Sequence, residues 1–519
     1  MATGGPDPDV EKKGDVVEQR GDDSGSADEK PASVKVEDAG DAPRRGPQPP
    51  PFIASLTPEQ REEMEKKLKR KIDWRLLPAV IIMYIMNYID RNNIAAAKLA
   101  GIERDLKLTP VEFQTSISIL FVGYLLMQIP SNLLLNKLGK PALYLPTTMI
   151  IWGVISAVTA VCTNAAGLYA VRFFLGFVEA AYFPGCLYYL SCWYTRKELG
   201  FRTAVMYSGA LISGAFSGLI SAGVKYGMDG TRGYSAWQWL FIIEGAATIA
   251  IAFGCYWVLP NFPRTTSWLT PEERELAIWR LEEDIGQDDW INSEQQTFWQ
   301  GAKLAFTDGK TYVLMLLLFT IVASGTVTNF FPAVVKSLNY GDVDTLLLTA
   351  PPYVLAVAVT YLNATHADKT GERYFHIVIP MTVAIVAYII AATTMNIGAR
   401  YFSMMLMVPS VYSAFVVALA WISNTMPRPP AKRAAALAFI NAVSNCSSIY
   451  ASYLYYGAPQ YTTAMVVNCT TAFIAVCTAT VMRMILVRLN KKLDQGIYVA
   501  GAINALPGEA VENGFRFRI

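Results

Sequence analysis

At 519 residues, 53% hydrophobic and 17% charged, the chain is too apolar for a soluble protein and too long for a single core. Its net charge of +2, carried mostly in tails and loops, excludes a nucleic-acid partner. The seven cysteines all sit in apolar stretches without paired spacing and read as helix-packing residues. With only two histidines, neither a histidine metal centre nor Ser-His-Asp catalysis is supported.

Residues 1–56 read as a disordered tail, since the first fifty contain no Phe, Trp, Tyr, Ile or Leu. No apolar signal segment precedes Leu76, so the first membrane helix is expected to do the targeting. Thr57-Pro58-Glu59-Gln60 has the chemistry of a helix start: a capping hydroxyl, Pro at the first position and Gln three residues on. The segment 57–73 is therefore an amphipathic, basic helix, whose Lys66–Lys71 cluster suits lipid headgroups just before the first span.

Apolar runs of membrane-spanning length fall near 74–96, 113–136, 142–161, 166–191, 203–226 and 237–259, then near 311–337, 345–366, 375–395, 400–424, 433–456 and 462–486. The chain thus reads as an all-α membrane protein of twelve transmembrane helices. Its two six-helix halves, 74–259 and 311–489, are joined by a 260–310 linker that contains one short helix, and a tail follows at 490–519. Two six-helix halves with a site at mid-membrane between them are the plan of the major facilitator fold. Basic residues such as Lys137, Lys140, Arg196, Lys197, Lys369, Arg373 and Arg433 collect on one side, which places both termini in the cytoplasm. The glycosylation sequons at Asn363, Asn445 and Asn468 fall in or beside spans and are expected to be unused.

Chemistry concentrates in the first half. Asp90 and Arg91 close the first apolar run, and Arg172 and Glu179 lie two turns apart on one face of the fourth. A charge at mid-membrane costs about 2.5–3.5 kcal/mol on insertion scales and usually marks a transport path. A guanidinium forks onto a carboxylate, and an acid that gains and loses an arginine partner binds and releases a proton. A structural ion-pair network locking two helices is the alternative reading. In the second half, Asn441 and Asn445 share a helix face and could bond solute or simply join helices. Asn329 lies beside Phe330 and Phe331, where an amide between aromatics suits a flat solute. The Ser-Gly pairs at 208–209, 213–214 and 217–218 read as close packing. Tyr182, Tyr188, Tyr189 and Trp421 read as core or interfacial aromatics, and His366 as a solvated loop histidine.

Asn87-Tyr-Ile-Asp-Arg-Asn92, Arg172-Phe-Phe-Leu-Gly-Phe-Val-Glu179 and Phe183-Pro-Gly185 resemble the anion:cation symporter branch of the major facilitator superfamily, in particular the fungal allantoate and nicotinate permease group. Phe330-Phe-Pro332, Asp368–Arg373 and Lys432–Asn445 fit the same group, over about residues 70–490. Asn132 and Asn136 depart from the superfamily's usual loop signature. The resemblance implies import of a small organic anion with protons across the plasma membrane, without a cofactor or metal, by a monomer in the lipid bilayer. It also implies that Arg91 and Arg172 hold the anion or its charge network and that Asp90 and Glu179 serve proton coupling. Efflux of an acidic metabolite and a non-transporting nutrient sensor are the competing readings. An enzyme is not expected, for want of a nucleophile–base set.

Overall fold

A computed structural model describes residues 49–138, 140–288, 298–426, 430–497, 499 and 516–519. The expected disorder of the N-terminal tail, up to residue 48, lies outside the described residues, as does 289–297 of the linker. The described secondary structure is entirely helical. Its long helices are α1 (Pro58–Leu99), α2 (Pro110–Leu138), α3 (Pro141–Val158), α4 (Ala165–Ser191), α5 (Arg196–Met228) and α6 (Ala236–Val258). They continue as α7 (Gly309–Lys336), α8 (Asp342–Thr370), α9 (Tyr374–Thr393), α10 (Ile397–Thr425), α11 (Pro430–Ala451) and α12 (Thr462–Asp494). Among the described residues, 11 helices are long and apolar enough to cross a membrane. The remaining long helix, α11, stands in the place of the eleventh span.

Some boundaries differ from the sequence expectation, each for a local reason. The tail does not run unbroken to 56, because Pro51–Ser55 forms a short helix that buries Ile53. The basic helix and the first span are not separate elements. Thr57 and Gln60 close a reciprocal cap, and one helix of 42 residues follows. The Lys, Arg and Glu of its first turns are good helix formers, so nothing interrupts it. At 1.5 Å per residue it is about 63 Å long, twice the hydrocarbon thickness, so its first turns project beyond a bilayer.

The linker holds two helices rather than one, Pro271–Asp288 and Phe298–Thr307. Ion pairs clasp the first of these to the projecting end of α1 and the start of α5. Lys71 meets Glu273 at 2.6 Å, Arg280 meets Glu198 at 2.5 Å, and Arg61 pairs with Glu283. The 490–519 tail is not wholly free either. Phe517 exchanges two 2.9 Å hydrogen bonds with Asn490, and Trp421 Nε1 donates to the Arg518 carbonyl at 3.0 Å.

Two spans are broken in the middle. In α4 the break lies one turn before Pro184-Gly185, where the helix stops at Glu179 and restarts at Tyr182. Pro184 would press its ring on the carbonyl four residues back, which is where the helix gives way. In α7 a 3-10 segment, Gly325–Phe330, interrupts the helix before Pro332. Such a mid-helix stretch often marks a hinge or a strained sequence.

The two halves are joined at the end away from the termini. Ser118 Oγ donates to the Ile449 carbonyl at 2.6 Å, Gln114 Nε2 to the Tyr455 carbonyl at 3.3 Å, and Thr115 meets the Tyr453 hydroxyl at 3.0 Å. On the other flank α5 packs on α8. A Cβ at Gly218 would stand 2.2 Å from Thr349 Oγ1, and one at Gly214 would stand 2.5 Å from the Tyr353 ring. The Ser-Gly pairs at 213–214 and 217–218 therefore serve close packing, and they serve it between the halves.

Candidate functional site

Consecutive helical residues point about 100° apart, and α1 uses this to send Asp90 and Arg91 in different directions. Both lie in the membrane-spanning part of α1, but they face separate environments.

Arg91 turns toward α2 and α4. Its Nε donates to Glu179 Oε2 at 3.0 Å, and its guanidinium lies 4.8 Å from the Tyr124 ring centre and 5.3 Å from that of Tyr88. The Glu179 side chain is fully buried, whereas that of Arg91 keeps 13% exposure. Arg91 is therefore the less enclosed member of the pair. The acid stands at the last residue before the break in α4, and a second oxygen, Oε1, is buried without a hydrogen-bond partner.

Arg172 lies beneath this pair, although the seven-residue spacing points it toward Glu179. It is 1% exposed, and it donates from Nε to the Ser116 carbonyl at 3.4 Å and from Nη2 to the Arg91 carbonyl at 3.3 Å. Its Nη1 is buried and unbonded. Arg172 thus ties α4 to the backbones of α1 and α2. The helices come this close because a Cβ on Gly176 would lie 2.0 Å from the Leu120 carbonyl oxygen, and one on Gly123 2.2 Å from that of Phe173. Only glycine permits that approach.

Asp90 turns the other way, into the interior of the first half. Ser156 Oγ of α3 donates to Oδ1 at 2.8 Å, and Thr248 Oγ1 of α6 donates to Oδ2 at 2.8 Å. Asp90 is 0% exposed, and no arginine is bonded to it among the described residues. The hydrogen bonds of the four charges singled out in the sequence therefore divide into two sets, Arg91 with Glu179 and Arg172 on one side and Asp90 on the other, while the four still act on one another through space.

A fifth ionisable residue belongs to the Asp90 side and was missed. Glu244 of α6 is 2% exposed, neither of its carboxylate oxygens has a hydrogen-bond partner, and it interacts electrostatically with Asp90. The signal in the sequence was a lone acid in an apolar span, Phe241-Ile-Ile-Glu-Gly-Ala-Ala247. It has no basic residue at helical spacing to draw attention to it.

The second half contributes neutral groups. Asn445 Nδ2 donates to the Asn441 carbonyl at 2.9 Å and reaches its Oδ1 at 3.3 Å, and both amides are partly exposed. Asn329 lies in the 3-10 segment of α7, half-buried. Its aromatic neighbours do not flank a solute. Phe330 stacks on Tyr455 at 4.3 Å and Phe331 packs edge-on to Tyr353 at 5.6 Å, so only the amide is left to face one. Tyr182 and Tyr189 bond the carbonyls of Val80 and Pro260 as core residues, and Trp421 bonds the C-terminal segment. The Tyr188 side chain lies outside the described residues. His366 is not simply solvated, because its Nδ1 lies 2.7 Å from His376 Nε2, and His376 Nδ1 lies 2.8 Å from Glu372.

Residues 80–452 match the family profile described as Major Facilitator Superfamily. The chain is 33% identical over 387 residues to the MFS-type transporter cnsO of Penicillium expansum, covering 72% of this chain and 74% of that one. It is 32% identical over 421 residues to the MFS-type transporter efuF of Hormonema carpetanum, covering 78% and 82%. Its fold is similar to the crystal structure of a bacterial homologue of the human lysosomal transporter Spinster, with a TM-score of 0.61 at 14% identity over 83% of this chain and 97% of that one. The helical architecture, the buried charges of the first half and these likenesses agree: the chain belongs to the major facilitator superfamily of membrane transporters.

Proposed function

We propose that the protein imports a small organic anion together with protons, by alternating access, as a monomer in the plasma membrane with both termini in the cytoplasm. It would be of the anion:cation symporter branch and like the fungal allantoate and nicotinate permeases. The observation that carries the reading is the Arg91–Glu179 pair, which is buried on the acid side and less enclosed on the arginine side. Glu179 and a substrate carboxylate compete for one guanidinium. Protonating Glu179 removes its claim and frees Arg91 to fork onto the incoming anion, so proton and anion bind together. Loss of the proton on the other side restores the pair and expels the anion. Asp90, bonded only by hydroxyls, is the second proton site, and Arg172 supports Arg91 through its backbone. Asn329, Asn441 and Asn445 of the second half orient the uncharged end of the solute.

A symported proton cancels the charge of a monoanion, which otherwise meets about 2.3 kcal/mol of opposition from a 100 mV inside-negative potential. The test is uptake of a panel of labelled carboxylates into permease-deficient yeast, at acidic and neutral external pH, with and without a protonophore. Protonophore-sensitive accumulation of one of them, stronger in acid, is expected. Export of the same compound from preloaded cells, without accumulation, would instead establish efflux. Signalling without any flux would establish a sensor.

A further inference from the structure

Asp90 and Glu244 share one closed compartment of the first half, between α1, α3 and α6. Thr248, which bonds Asp90, lies one turn after Glu244 on the same face of α6. Ser156 of α3 bonds the other Asp90 oxygen. The backbones of α3 and α6 nearly touch at this level, since a Cβ on Gly245 would stand 2.7 Å from the Gly153 carbonyl oxygen. The residue beside that contact, Glu244, is thereby fixed in place. Glu244 is the only acid among the described residues that presents two buried carboxylate oxygens, neither of them hydrogen-bonded. No cation is bonded to it or to Asp90 among the described residues.

An ionised carboxylate with no partner in a membrane interior is among the most costly arrangements a protein can hold, and a proton is what relieves it. Two buried carboxyls that act on each other also cannot both ionise freely, because each charge opposes the other. The titratable groups near the pair are Glu179 and Arg172, which act on Asp90 from α4 through space.

We propose that Glu244 is a further proton-binding site, and that it forms with Asp90 a carboxyl pair that holds at least one proton throughout the transport cycle. When Asp90 ionises, the Ser156 and Thr248 hydroxyls already point at its two oxygens, so its proton can leave while Glu244 keeps its own. When Asp90 is reprotonated the pair is neutral. The ligand is the proton alone, and no bond other than O–H forms or breaks. This site deepens the reading of the protein as a proton-coupled transporter and rests on it, but it can be tested without any substrate.

The test is infrared difference spectroscopy of the full-length protein in lipid nanodiscs, titrated from mildly acidic to mildly alkaline pH. The wild type is expected to show a protonated-carboxyl band that persists where solvent-exposed acids are ionised. Glu244→Gln should remove that component, and Asp90→Asn should shift it, because the two groups are coupled. Thr248→Val keeps both carboxyls and guards against a Glu244 variant that does not fold. It should move the band without abolishing it. A spectrum unchanged by Glu244→Gln, or by both Asp90→Asn and Thr248→Val, would overturn the proposal. Protonophore-sensitive uptake that survives beside an unchanged spectrum would sink the Glu244 site alone. A lost band with no coupled uptake would sink the symport reading alone.

Discussion

Two faces of one helix turn carry the chemistry of this protein, and they differ in nearly every respect. On one side of α1, Asp90 accepts from two hydroxyls, lies near another acid and has no exposure. On the other, Arg91 meets a carboxylate and two aromatic rings and keeps a small exposure. On the proposed reading, the first environment holds a proton and the second exchanges one carboxylate for another. Residues adjacent in the chain would then serve different ligands, with α1 as the connection between them.

The largest effect should come from Arg91→Ala, which breaks the second environment and leaves Glu179 buried without its cation. Removing one partner of a buried pair costs about 3–5 kcal/mol. Uptake should disappear and the melting temperature in nanodiscs should drop markedly. A variant with wild-type uptake would mean that the anion binds elsewhere. Arg172→Lys separates support from recognition. It should lower thermal stability more than substrate affinity, because its bonds run to backbone carbonyls. A large rise in KM with an unchanged melt would put Arg172 in the binding site instead.

Gly176→Ala comes next. Its Cβ would collide with the Leu120 carbonyl, and overpacking of this kind costs about 1–3 kcal/mol. The displaced α2–α4 contact should impair anion binding while the Asp90 compartment stays intact. Gly223→Ala, inside α5 and meeting nothing within 4 Å, is the control and should not lower thermal stability, since Ala is the better helix former. A harmless Gly176→Ala would mean that the two helices have room to separate.

Ser156→Ala removes one donor from Asp90, and a hydrogen bond to a charged group is worth about 1.5–3 kcal/mol. It should displace the pH dependence of uptake and leave KM at saturating proton concentration unchanged. The smallest effect belongs to Asn445→Ala, whose amide bonds Asn441 one turn back on the same helix, a contact of the i, i+4 kind worth about 0.2–0.5 kcal/mol. A change in KM of about twofold is expected from that figure. Loss of all transport would make the second half an equal partner in anion recognition.

The fold was legible in the sequence because lipid leaves so few solutions. Runs of apolar residues fix the spans, and the polar 260–310 stretch divides them six and six. The boundaries that failed involve elements that periodicity does not see. The α1 helix continues out of the membrane because its charged turns are also helix formers, and Phe517 packs through contacts remote in the chain. At the site, the four charged positions were visible as expensive residues in apolar runs. Their pairing was not, since spacing along one helix cannot say which neighbouring helix a side chain will meet. Arg172 and Glu179 share a face in the sequence, yet Glu179 bonds Arg91 and Arg172 bonds backbone. Glu244 was passed over because its partner lies on another span.

The proposed coupling requires Glu179 to give up Arg91 when it takes a proton, and Glu179→Gln tests this most directly. The amide imitates the protonated acid permanently, so Arg91 stays available to the anion but no proton need accompany it. Measured side by side in proteoliposomes, this variant is expected to exchange labelled for unlabelled substrate as the wild type does. It should fail to accumulate substrate against a gradient, and its exchange should be insensitive to pH. Continued protonophore-sensitive accumulation by Glu179→Gln would contradict the account and leave the Asp90 compartment as the seat of coupling.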